Sequence, residues 1–94
     1  MKLGIRDKGG DKNFMVTFET KTEKETTAYN DAVCTVLKEA GLNPFHQIGA
    51  TFRGPNEPGY HGWEVWKEIS KEELQILLPE IKRRAQEFLE SWNN

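Results

Sequence analysis

The side chains best suited to proton transfer crowd into one segment, Gly54-Pro55-Asn56-Glu57-Pro58-Gly59-Tyr60-His61-Gly62. Glu57, Tyr60 and His61 can each take part in acid-base work there, and a surface loop is a usual place for it. No serine, cysteine or second histidine stands at a spacing that would complete a relay with His61, so no residue is assigned as catalytic and the chain reads as a non-enzyme. His46 and His61 could share a metal with Asp7 or Asp11, yet their spacing matches no zinc-finger or zincin pattern. Asp7, Asp11 and Asn13 carry oxygen ligands without the spacing of a calcium-binding loop. Neither a metal nor a cofactor is therefore expected. Cys34 is the single cysteine, which rules out an internal disulfide.

Another kind of chemistry is suggested by Trp63-Glu64-Val65-Trp66-Lys67-Glu68-Ile69. Side chains alternate faces along a strand, so Trp63, Val65 and Ile69 share the core side and Trp66 points to water between Glu64 and Glu68. An exposed indole on a half-solvated sheet marks a contact surface. Gly59 to Trp66 resembles the aromatic strand of an RNA-recognition motif. That resemblance implies single-stranded nucleic acid stacking on an exposed ring. The segment departs from the motif where Pro58 replaces its basic residue, His61 is inserted, and Trp63 is sent inward.

Strands and helices must position these groups. Leu3 and Ile5, then Phe14, Val16 and Phe18, alternate with polar neighbours as strands do, around a polar loop from Asp7 to Asn13. Thr22 with Glu25 has capping-box spacing, and Tyr29, Ala32, Val33, Val36, Leu37 and Ala40 form one apolar helical stripe. Gly41 suits a left-handed position after that helix, with Leu42 folding back and Pro44 preventing continuation. Ile48, Ala50 and Phe52 alternate with Gln47, Gly49, Thr51 and Arg53, which predicts a third strand, and the fourth runs from Trp63 to Ile69. Ser70 with Glu73 is a second capping box, stapled by Ile69 and Leu74. The C-terminal stripe from Leu74 to Trp92 is interrupted by Pro79, which predicts a kink or a break, and Trp92 is expected to pin the last turn to the core.

The expected fold is α+β, a two-layer sandwich over residues 1–94. A four-stranded antiparallel sheet carries both helices on one face, in the order ββαββα. The rival order, βαββα, is ferredoxin-like. Residue pairs such as Gly4 with Gly49 and Thr22 with Ser70 raise the prospect of two repeated halves.

The 94 residues carry a net charge of −2, which disfavours a phosphate-seeking surface. No run reaches a membrane-spanning length and the N-terminal segment lacks a signal-like apolar stretch, so a cytoplasmic location is expected. Lys82, Arg83 and Arg84, flanked by glutamates, read as a solvated helix face. The functional expectation is a small interaction module, such as a regulator or inhibitor from a mobile element or virus. It would bind a protein partner or itself as a homodimer, through Trp66, Met15, Arg53, Thr51, Tyr60 and His61. The alternative is a single-stranded nucleic-acid-binding domain that uses Trp66.

Overall fold

A computed structural model describes residues 3–10 and 13–92. Its elements are β1 (Leu3–Gly10), β2 (Asn13–Thr20), α1 (Glu23–Glu39), β3 (Pro44–Gln47), β4 (Gly59–Val65) and α2 (Lys71–Trp92). The order is ββαββα, as expected, in one antiparallel sheet with the spatial order β1-β2-β4-β3. β2 and β4 form the central pair, with β1 and β3 at the edges. Both helices lie on one face, α1 over β2, β3 and β4 and α2 over β1.

Both helix starts follow from local chemistry. The Thr22 hydroxyl accepts from the Glu25 amide at 3.1 Å, and the Glu25 carboxylate reaches back to the Lys21 amide at 2.7 Å. At the second start the Ser70 hydroxyl accepts from the Glu73 amide at 3.2 Å, while Ile69 and Leu74 are both buried beside it. The end of α1 is a full Schellman closure: Gly41 adopts φ +77°, its amide bonds the Lys38 carbonyl, and the Leu42 amide bonds the Leu37 carbonyl. Leu42 is thereby turned into the core. The helix α2 runs unbroken through Pro79, so the expected break is absent.

The core lies between sheet and helices. Phe14, Val16 and Phe18 of β2 and Val65 of β4 meet Tyr29, Val33 and Leu37 of α1 and Leu74, Ile81 and Ala85 of α2. Burying such side chains is worth about 1.5–3 kcal/mol each.

Four expectations are corrected. The first hairpin loop is shorter than the Asp7–Asn13 segment, because strand pairing continues to Gly10 opposite Asn13, with a register shift after Asp7. The third strand is not the 47–53 segment but Pro44–Gln47, with Ile48 exposed. At the β3 edge proline costs little, and Pro44 and His46 already occupy the core-side positions opposite Val65 and Trp63. The fourth strand spans Gly59–Val65 rather than Trp63–Ile69, which draws His61 out of the supposed loop and into the sheet and leaves Lys67 beyond its end. Trp92 does not reach the core. Its ring is half exposed, edge-on to Phe88 and beneath the Lys24 ammonium.

Candidate docking surface

Strand register sorts the side chains. Arg6, Met15, Glu64 and Phe45 share one cross-strand row, and Gly4, Thr17, Gly62 and Gln47 share the next, both on the sheet face away from the helices. Trp66 follows β4 immediately on the same side. It is 63% exposed, and its ring stacks on that of Phe45, with centroids 5.1 Å apart and planes 21° apart. Phe45 is itself 49% exposed. The backbone that carries Trp66 is fixed from α1: its amide donates to the Leu42 carbonyl at 3.2 Å, so the turn that ends the helix also sets the indole.

The part of this face around Met15 and Gly62 is roofed by the chain between β3 and β4. That chain leaves the ladder after Gln47 and rejoins it where the Arg53 amide donates to the Tyr60 carbonyl at 3.0 Å. Phe52 lies over Gly62 and Met15 and stacks on Tyr60 at 5.2 Å, with the Arg6 guanidinium 5.8 Å from its ring. Met15 is consequently only 5% exposed, and it is Phe52, not Trp66, that covers it. Thr51, Met15, Arg6 and Phe52 line an open cleft of about 450 Å³. A smaller one of about 280 Å³ lies beside Thr17 and Tyr60. Thr51 and Arg53 are exposed and Tyr60 is half-buried.

His61 sits on the opposite, helix-facing side and has no exposed surface. Its ring stacks on Phe18 at 5.3 Å, Nε2 bonds the Glu57 carbonyl at 2.7 Å, and Nδ1 meets Nε2 of His46 at 3.1 Å. Burial lowers both imidazole pKa values. The His61 field lowers His46 further, whereas the carbonyl and carboxylate of Glu57 pull His61 back up. An enclosed ring of this kind holds structure together and is out of a substrate's reach. The two histidines bond each other directly, and among the described residues no group of three metal-ligating side chains forms. Asp11 lies outside the described residues.

Of the six residues singled out from the sequence, Trp66, Thr51, Tyr60 and Met15 belong to the open face, Met15 as its buried floor; His61 belongs to the other, and the Arg53 side chain lies against Gly59 at the start of β4. Phe45 and Phe52 were not singled out. Phe45 follows Pro44 in a stretch that reads as a connection, and only its pairing opposite Glu64 gives it a face.

Arg83 and Arg84 are engaged by Glu80, Glu87 and Glu39, the last contact joining α2 to α1 at 2.7 Å. Among the described residues no helix is long and apolar enough to cross a membrane. No family model matches this chain, and no curated protein or solved structure does either.

Proposed function

We propose that this chain is a non-enzymatic interaction module that docks protein through the Phe45–Trp66 pair, in its simplest form onto a second copy of itself. The observation behind this reading is the pair itself: two large rings, 49% and 63% exposed, stacked on one another at an edge strand. Mutual stacking restricts both side chains, and the Leu42 bond fixes the backbone of Trp66, before any partner arrives, so less conformational entropy remains to be lost on docking. Aromatic anchors of this kind dominate the energetics of protein interfaces. Two-fold self-association is the commonest way in which one patch is covered by an identical one. A regulatory or inhibitory role would follow if the same rings competed for another protein's surface.

Electrostatics favours protein over nucleic acid. Glu64 and Glu68 flank Trp66 in the sequence, both helix arginines are engaged by glutamates, and the chain is net negative.

Sedimentation equilibrium of the wild type and of Trp66→Ala tests the proposal. A reversible dimer whose dissociation constant rises tenfold or more on truncation, about 1.4 kcal/mol or more, is expected. A wild type that remains monomeric at millimolar concentration refutes self-docking. Salt-sensitive binding of a single-stranded oligonucleotide, weakened by Trp66→Ala, would replace this reading with nucleic-acid recognition.

A further inference from the structure

The return half of the β3–β4 connection is held from the helix side at two carbonyls. Asn30 of α1 donates to the Pro55 carbonyl at 2.8 Å while accepting from Trp63 Nε1 at 2.9 Å, and His61 bonds the Glu57 carbonyl. A carbonyl only accepts, so His61 carries its proton on Nε2 and offers a lone pair at Nδ1. His46 therefore donates from Nε2, which leaves its Nδ1 as an acceptor. That atom is buried and meets no donor.

We propose that the His46–His61 pair, His61 fully buried and His46 partly so, is a proton-operated latch, in which uptake of one proton frees the 48–58 connection from the sheet and bares the Met15 and Gly62 surface beneath Phe52. While both histidine hydrogen bonds last, the incoming proton has His46 Nδ1 as its site, where the new N–H finds no acceptor and the charge finds little water. A proton on His61 Nδ1 instead expels the His46 donor. Either way the cation is better solvated once the connection has lifted.

The surroundings of the pair give it little help in staying charged. The connection contributes the Glu57 carboxylate; α1 contributes Tyr29, whose own ionisation burial and Glu25 push upward, and the neutral Asn30. From the sheet come Phe18, Thr20 and Trp63 on the same side, while Glu19 and Glu64 lie on the other face. The released form binds more protons than the closed one. Closure is thus complete above the ordinary histidine value of 6.5 and is lost as pH falls below it, by up to about tenfold per pH unit for each proton. This property belongs to the chain itself and holds whether or not the Phe45–Trp66 pair docks a protein.

Amide hydrogen exchange tests it, with intrinsic rates corrected for pH. The reporters are the Arg53 amide, bonded to Tyr60 across the rejoined ladder, and the Val33 amide in the middle of α1. Between about pH 6.5 and 5.5 the Arg53 protection factor is expected to fall about fivefold while that of Val33 holds. In His46→Gln/His61→Gln the Arg53 value should be independent of pH. Unchanged Arg53 protection in the wild type, an equal fall at Val33, or the same fall in the double variant overturns the latch. Should the double variant not fold, the wild-type imidazole ¹⁵N shifts decide: titration of the closed-state rings below the ordinary 6.5 supports the latch, and titration at that value, which leaves no linkage to opening, overturns it.

Discussion

Gly62→Ala tests the roofed face most directly, because the added methyl group has a known obstacle. A Cβ at this position would lie 2.6 Å and 2.9 Å from two Phe52 ring carbons and 2.9 Å from the Met15 sulfur. All three separations are shorter than real Cβ contacts, so something must move. The thioether of Met15 can swing aside cheaply, but the Phe52 ring is held by its stack on Tyr60 and has to leave its seat. Overpacking of this kind costs about 1–3 kcal/mol. Alanine returns roughly 0.5–1 kcal/mol over glycine in a strand interior, so the net loss should be about 0.5–2 kcal/mol. With Phe52→Ala in place the obstacle is gone. The same methyl group should then be neutral or stabilising by up to about 1 kcal/mol, which makes the coupling between the two sites about 1–3 kcal/mol. Urea denaturation of the four proteins in the cycle measures it. An equal cost for Gly62→Ala with and without Phe52 would refute the claim that this ring roofs the face.

Three further outcomes follow from the helices. Gly41→Ala places a side chain at φ +77° where the nearest atom, Lys67 Nζ, is 3.8 Å away. The penalty is therefore a backbone one of about 1–2 kcal/mol, seen as a lower denaturation midpoint with an unchanged m-value. Pro79→Ala restores an amide donor inside α2 and should raise stability by about 1–3 kcal/mol; a loss would show that the proline ring packs in a way its exposure denies. Arg83 and Arg84 hold the exposed Glu80 carboxyl down to about 2. Because this value lies below the ordinary 4.5, the contribution of Glu80 to stability is present above pH 4.5 and fades as pH falls through about 2. A carboxyl ¹³C titration in which Glu80 protonates together with the unpaired glutamates would contradict that network.

What could be read from the sequence was what neighbours in the chain decide. Thr22 with Glu25, Gly41 with Leu42, and Ser70 with Glu73 act over one to three residues, and each forms the closure its spacing implies. The period-two pattern places Trp66 on the wet side of the sheet because Trp63 and Val65, which precede it, fix the parity of β4. The failures arise where distant residues decide. Ile48, Ala50 and Phe52 alternate as well as any strand does, and nothing nearby in the sequence reveals that Phe52 has a seat over Gly62 on the far face. His61, polar and set among glycines and prolines, reads as a solvated residue until His46, fifteen positions away, supplies a partner that makes its burial tolerable.

The parity of β4 also explains why one connection touches both faces of the sheet. His61 and Gly62 are adjacent, so their positions open to opposite sides. A chain that returns to Gly59 past both is caught by an imidazole on the helix side and finds a bare backbone for an aromatic ring on the other. Moving the first contact must therefore disturb the second, since ten residues at most separate the atoms that make them. The Phe45–Trp66 pair escapes this linkage because the backbone amide of Trp66 is tied to Leu42 and hence to the closure of α1, not to the connection. The proposed docking surface and the covered surface thus share one face of a four-stranded sheet and are expected to respond to different perturbations, the first to the integrity of a helix end and the second to the protonation of the His46–His61 pair.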